Sequence, residues 1–156
     1  MTLRDYRKKC LFTQKEAAIF LGINEKTYFR YETESKYVGS LKYEKMCDLL
    51  AEHCKIDEEH GILTISEIKE IINKIFNNYD IKYCYLFGSY AKGKASEKSD
   101  VDLLIGSDIT GLKYYGLLQE LIDGLHKKVD LIKIDSAITN IDFINDILKD
   151  GIKIYG

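Results

Sequence analysis

The hydrophobic pattern of this chain changes period part-way along, and that change constrains the fold more than any other feature. Up to about residue 54 the apolar residues recur at helical spacing and no stretch alternates in the manner of a strand, so this part reads all-helical. Beyond residue 61, helical patterns give way repeatedly to short β-rich runs. Proline is absent and no low-complexity stretch marks a linker. The boundary therefore falls in the polar segment 54–61, which holds Lys55, Asp57, Glu58, Glu59 and His60 and ends in a turn-forming glycine. The expected organisation is an all-α domain over residues 1–60 and an α/β (α+β) domain over 61–156, with a small mixed sheet flanked by helices.

Within the second domain, Ser66 is a candidate cap for a helix carrying Ile68, Ile71, Ile72, Ile75 and Phe76 on one side. Strands are expected over 81–87, 101–105 and 129–134. One helix carries Tyr114, Leu117, Leu118, Leu121, Ile122 and Leu125, another carries Ile141, Ile144, Ile147 and Leu148, and residues 152–155 read as a short edge strand. A unit of roughly ninety residues is large enough to fold alone.

Composition narrows the function classes. The chain is 46% hydrophobic and 31% charged with a formal net charge of -2, so no global basic field advertises nucleic acid and any DNA contact must be local. The first residues lack the basic, apolar, small-residue order of a secretory signal, and no apolar run is long enough to span a bilayer, which makes the cytoplasm the expected compartment. Cys10, Cys47, Cys54 and Cys84 show no C-x-x-C spacing and read as reduced, mostly buried small hydrophobes. His53, His60 and His126 are scattered, without metal-ligand spacing.

The stretch that carries chemistry is Gly88-Ser89-Tyr90-Ala91-Lys92-Gly93, then six residues, then Asp100-Val101-Asp102-Leu103-Leu104-Ile105. Phe87 ends an apolar strand and Gly88-Ser89 opens a helix, which aims free backbone N–H groups and the positive end of a dipole at whatever lies beyond. A polyphosphate fits that description. Gly88 allows close backbone approach, the Ser89 hydroxyl can donate to a phosphate oxygen, and Lys92 adds a positive charge one turn on. Asp100 and Asp102, two apart on a strand, project from one face at about 6 to 7 Å between Cα atoms. Carboxylates so placed repel, and Mg²⁺ resolves the repulsion by taking one or two of them, with water and substrate phosphates completing its shell. Asp130 begins another strand and can bring a third acid to the same edge, and three acids beside a phosphate cradle suit a two-metal phosphoryl or nucleotidyl transfer site.

These residues resemble a known family. Gly-Ser, ten residues, D-x-D and a third Asp in a later strand look like the DNA polymerase β-type nucleotidyltransferase superfamily. Gly-Ser-x-Ala-Lys-Gly followed by Ser-Asp-x-Asp-Leu looks most like its minimal nucleotidyltransferases, over about residues 66–156. The resemblance implies that Asp100 and Asp102 bind metal and that Asp130 completes the site and helps activate the attacking hydroxyl. It also implies that Gly88 and Ser89 hold the β- and γ-phosphates of a nucleotide. Lys92 stands where the family usually has Arg, which keeps the charge and loses the bidentate fork.

The N-terminal part carries a second pattern. Thr13 can cap a helix with Glu16 as reciprocal partner, Ala17 and Ala18 allow close helix crossing, and Gly22 makes a turn. Asn24 then caps a second helix, with Ile23 and Tyr28 packing inward. Residues 2–55 resemble the helix-turn-helix of the phage-repressor-like class, including a later helix with Leu41, Met46, Leu49 and Leu50. The resemblance implies that the second helix enters the major groove, with Gln14, Glu25, Lys26, Thr27 and Arg30 as DNA contacts. Up to Tyr31, seven basic residues (Arg4, Arg7, Lys8, Lys9, Lys15, Lys26, Arg30) stand against three acids (Asp5, Glu16, Glu25). The alternative is a protein-docking or dimerisation module whose basic face is only solvated.

Taken together, the resemblances imply an antitoxin: a Mg²⁺-dependent enzyme moving AMP from ATP to a tyrosine of a partner HEPN-type toxin, with the helix-turn-helix repressing the shared operon and self-association as a dimer. Two alternatives stay open, a DNA-binding regulator whose transferase domain only senses nucleotide or binds a partner, and a transferase for a small hydroxyl compound such as an aminoglycoside.

Overall fold

Side-chain caps decide where the helices of the N-terminal unit start. In the computed structural model, which describes Met1–Gly156, the chain divides into the units Met1–Lys55 and Ile56–Gly156. The first holds α1 (Leu3–Lys9), α2 (Gln14–Phe20), α3 (Glu25–Thr33), a 3₁₀ turn at Ser35–Tyr37, and α4 (Leu41–His53). Thr2 with Asp5 and Thr13 with Glu16 form reciprocal capping boxes, while Asn24 and Ser40 each accept from the backbone N–H three residues on. Between α2 and α3, Gly22 sits at φ 67°, in the left-handed region that favours glycine. Leu3, Ala17, Ala18, Tyr28, Tyr43, Met46, Cys47 and Leu50 close the core. The two alanines are buried, as close helix packing requires, and Tyr28 is fully buried.

Two features of this unit differ from the expectation. Arg7 is not part of a solvated basic face: its guanidinium meets Glu32 at 2.8 Å, with side chains only 14% and 2% exposed, and it also donates to the Phe12 carbonyl at 2.8 Å. Cys10 and Cys54 are joined as a disulfide across 44 residues, with Cα atoms 5.0 Å apart, so only Cys47 and Cys84 are free thiols. The paired cysteines are the C-caps of α1 and α4, which pack against each other. Nothing in their spacing along the chain announces that convergence.

The second unit is built from α5 (Ile65–Phe76), β1 (Tyr83–Phe87), α6 (Gly88–Ala91), β2 (Val101–Gly106), α7 (Leu112–Leu125), β3 (Val129–Lys133), α8 (Ile134–Ala137), α9 (Ile141–Asp150) and β4 (Ile152–Tyr155). The cap of α5 is Thr64 rather than Ser66, because Glu67 lies three residues after Thr64 and closes a capping box with it. The third strand ends at Lys133, and Ile134 instead opens α8.

The strands form one mixed sheet in the order β3-β2-β1-β4, with β1 antiparallel to both β2 and β4, and β2 parallel to β3. Because side chains alternate across a strand, the sheet has two apolar faces. Cys84, Leu86, Leu103, Ile105 and Leu131 pack with Ile68, Ile72 and Phe76 of α5 and Leu117, Leu121 and Leu125 of α7. On the opposite face, Leu104 packs with Ala137 and Ile147, joined by Tyr85, Phe87, Ile132 and Phe143. The architecture is therefore a mixed α/β fold with a small four-stranded sheet between helices. No helix is long and apolar enough to cross a membrane.

Candidate active site

Strand pairing brings the acids together. Phe87, the last residue of β1, faces Asp102 in β2, and Asp102 faces Asp130 in β3. The end of β1, and hence the Gly88-Ser89 turn, the D-x-D segment and the third acid occupy one end of the sheet. Asp102 and Asp130 share strand parity with Leu104 and Ile132, so they lie on the face that carries α8 and α9. Asp100 falls just before β2, in the exposed turn that follows the hydrogen bond from the Ser99 N–H to the Ser96 carbonyl.

Gly88 and Asp102 touch in a way that only glycine permits. Gly88 lies at φ 70°, and a Cβ built on it would run into the Asp102 carboxylate, its Cγ only 2.9 Å away. No side chain caps the turn of helix that begins there. Its first N–H groups are thus offered beside a carboxylate. Ser89 is half-buried on this turn. Lys92 caps its far end, and its ammonium stands 4.0 Å from Asp150. The cation thus has a carboxylate of the chain as a neighbour.

Asp102 is the electrostatic centre of the group. Burial first, then the charges of Asp130 and of Asp100, push its carboxyl from the ordinary 3.8 up to about 6. Asp102 feels both of the other acids, yet no group of three or more His, Cys, Asp or Glu side chains is gathered closely enough to share a single metal ion. The donor set nevertheless suits a hard divalent cation, because Mg²⁺ takes only one or two carboxylates and fills its shell with water and phosphate oxygens. The crowded, partly buried Asp102 carboxylate is the observation behind that fit. Asp130 is exposed, open to an incoming group.

One neighbour of the acids carries no motif signal. The Tyr114 hydroxyl on α7 donates to the Leu131 carbonyl at 2.5 Å, fixing the residue that follows Asp130. A cleft of about 380 Å³ beside β3 is lined by Tyr114, Tyr115, Thr110, Leu131 and Lys133, and none of the three acids lines it.

In the N-terminal unit, the five residues expected at DNA are unequally free. Glu25 and Lys26 are exposed at the start of α3, and Thr27 is half-buried there. The Gln14 side-chain amide is held by Glu32. Arg30 is engaged by Glu34 at 3.2 Å and by the Tyr37 hydroxyl at 2.7 Å.

Comparison with known proteins yields consistent likenesses. The family model described as "Polymerase beta, Nucleotidyltransferase" matches residues 69–156. A Methanocaldococcus jannaschii protein provisionally named a protein adenylyltransferase is 42% identical over 77 residues, which cover 44% of this chain and 77% of the relative. Protein adenylyltransferase MntA of Thermococcus cleftensis is 32% identical over 78 residues, 46% of this chain and 79% of the relative. A solved toxin-antitoxin structure with AMP-PNP aligns at 25% identity and a TM-score of 0.49, covering 56% of this chain and 73% of that one.

Proposed function

Because this chain belongs to the polymerase β nucleotidyltransferase family and is a nucleotidyltransferase, we propose that it moves AMP from ATP to a hydroxyl of a partner protein. The observation that carries this reading is the contact between Gly88 and Asp102, with Asp130 in register beside them. Backbone donors for phosphate and carboxylates for a cation are thereby joined at one point, as phosphoryl chemistry needs.

In this mechanism Gly88 and Ser89 bind the β- and γ-phosphates through N–H groups and the Ser89 hydroxyl, and Lys92 adds charge. Asp100 and Asp102 would hold Mg²⁺, with Asp130 completing the set for a second ion. When bound, Mg²⁺ supplies neutralisation of phosphate charge and polarisation of the phosphorus centre. Asp130, exposed at the sheet edge, orients the acceptor hydroxyl and takes its proton. The acceptor oxygen bonds to the α-phosphorus, the bond from that phosphorus to the bridging oxygen breaks, and pyrophosphate leaves.

A protein acceptor is supported by the relatives' names, which describe protein adenylyltransferases. The acceptor we favour is a tyrosine of a HEPN-type toxin, on the minimal-nucleotidyltransferase resemblance, which makes this chain its antitoxin. For the N-terminal unit we favour operator binding through α3, supported by the capped helix pair and by the exposed Glu25 and Lys26. Gln14 and Arg30 would first have to leave their present partners. The test is incubation with Mg²⁺ and labelled nucleoside triphosphates, with and without the product of the neighbouring gene. Label on the neighbour from ATP, lost in Asp100→Ala/Asp102→Ala, is expected. Tight binding of the neighbour without label would transfer the reading to a non-catalytic regulator.

A further inference from the structure

A buried cation outside the acid group holds the two segments that lead into it. Lys127, in the turn between α7 and β3, is completely shielded from solvent. Its ammonium donates to the His60 carbonyl at 3.0 Å and to the Glu97 carbonyl. Both partners are backbone groups rather than a carboxylate. Burying a charge to meet two neutral carbonyls is costly, and an apolar side chain of similar volume would fill the space more cheaply. What the lysine adds is position.

The placement of those carbonyls shows what is positioned. Glu97 lies three residues before Asp100, and Lys127 lies three before Asp130. Immediately beyond this tether, the Val101 N–H donates to the Lys128 carbonyl at 2.9 Å, the first link between β2 and β3. The His60 anchor is itself fixed, since the Asp57 carboxylate accepts from the N–H groups of Glu59 at 2.9 Å and His60 at 2.8 Å. Lys98 pairs with Glu59 at 2.8 Å across the same turn. Upstream, the Lys94 N–H donates to the Ser89 carbonyl at 2.9 Å. The loop from the phosphate turn to the D-x-D segment is thus secured at its start, and at its middle through Lys127.

We infer that Lys127 is a positioning residue, tying the loop before Asp100 and the start of β3 to the hydrogen-bonded turn at residues 57–60 so that Asp100 and Asp102 meet Asp130 in a fixed register. It touches neither nucleotide nor acceptor and acts through the acids. The inference rests on the nucleotidyltransfer reading for its purpose, but its geometry can be measured without turnover.

The experiment compares the full chain with Lys127→Met and Lys127→Arg by three readouts: hydrogen exchange over residues 94–101, Mn²⁺ affinity by electron paramagnetic resonance, and thermal melting. Lys127→Met is expected to stay folded, to exchange faster over 94–101, and to bind Mn²⁺ about tenfold or more weakly, the range usual for outer-shell partners of a metal site. Lys127→Arg, which keeps charged donors, recovers part of both. A folded Lys127→Met with wild-type exchange and wild-type Mn²⁺ affinity overturns the inference. Should Lys127→Met not fold, Lys127→Gln, which keeps a neutral donor on a shorter stem, takes its place with the same two outcomes: faster exchange over 94–101 than in the wild type supports the tether, and wild-type exchange with wild-type Mn²⁺ affinity removes it. Should the wild type bind no Mn²⁺, the metal-dependent reading fails, while the exchange comparison still decides the tether.

Discussion

Replacing Asp102 with asparagine removes a carboxylate that the folded chain holds at a cost. Its carboxyl is raised from 3.8 to about 6 by burial and by the charges of Asp130 and Asp100. A shift of about 2 units corresponds to about 3 kcal/mol against the ionised form at neutral pH, and solvent around the partly exposed group reduces the realised penalty to about 1–2 kcal/mol. The sign follows from linkage. The folded chain binds this proton more tightly than the unfolded chain, so the penalty is absent below about pH 4, grows between about pH 4 and 6, and is complete above that. Without metal, Asp102→Asn should therefore melt about 4–10 °C above the wild type near pH 7.5, by the scaling for domains of this size. The gap should close toward about pH 4. Calorimetry across that range provides the assay. Mg²⁺ with ATP should reverse the order, since only the wild type gains stability from a ligand it can hold. A metal-free Asp102→Asn that melts at or below the wild type at neutral pH would refute the claim that this carboxylate is crowded.

Three further outcomes are expected. Gly88→Ala places a Cβ at φ 70° and against Asp102, so it should destabilise the fold by about 1–3 kcal/mol and abolish ATP binding by calorimetric titration; retained binding would remove Gly88 from the phosphate cradle. Glu32→Ala strands the Arg7 guanidinium, whose side chain is 14% exposed, and should cost about 3 kcal/mol in urea unfolding; a change under about 0.5 kcal/mol would return Arg7 to the solvated surface. Thiol titration of the unreduced, denatured chain should find two reactive cysteines, Cys47 and Cys84, rising to four after reduction.

Much of the C-terminal fold is legible in the sequence because its strands are short apolar runs bounded by turns. The limits of β2 and β4 come out nearly as read, and those of β1 and β3 differ by residues that leave the ladder for a local reason. Ile81 is buried in the core without pairing, and Ile134 starts a helix. Strand order is not legible. Nothing along the chain says that β4, last in sequence, pairs with β1 on the side opposite β2. The Ser66 and Thr64 assignments differ for a nameable reason, since both are good caps and only Thr64 has a Glu three residues on. Residues whose partners are far along the chain stayed hidden: Cys10 with Cys54, Arg7 with Glu32, and Lys127, which reads as an ordinary solvated lysine until two distant loops close over it.

The Gly-Ser turn was legible for its residues but not for its physics. Read from sequence, it is a helix start whose dipole draws phosphate, yet α6 is only the four residues Gly88–Ala91, too short for aligned peptide dipoles to sum to much. What remains is a few uncapped N–H groups beside Asp102. The local charges are Asp100, Asp102 and Asp130 against Lys92, and Lys92 is itself near Asp150. A triphosphate alone would meet net repulsion at this end of the sheet. On the proposed reading, nucleotide and divalent cation must therefore bind as one unit, the cation taking the carboxylates while the N–H groups take the phosphate oxygens it leaves free. The same repulsion explains why the acids need mechanical restraint before substrate arrives. Three like charges held together tend to drift apart, and the opposing forces are the β2–β3 ladder and the Lys127 tether at its start.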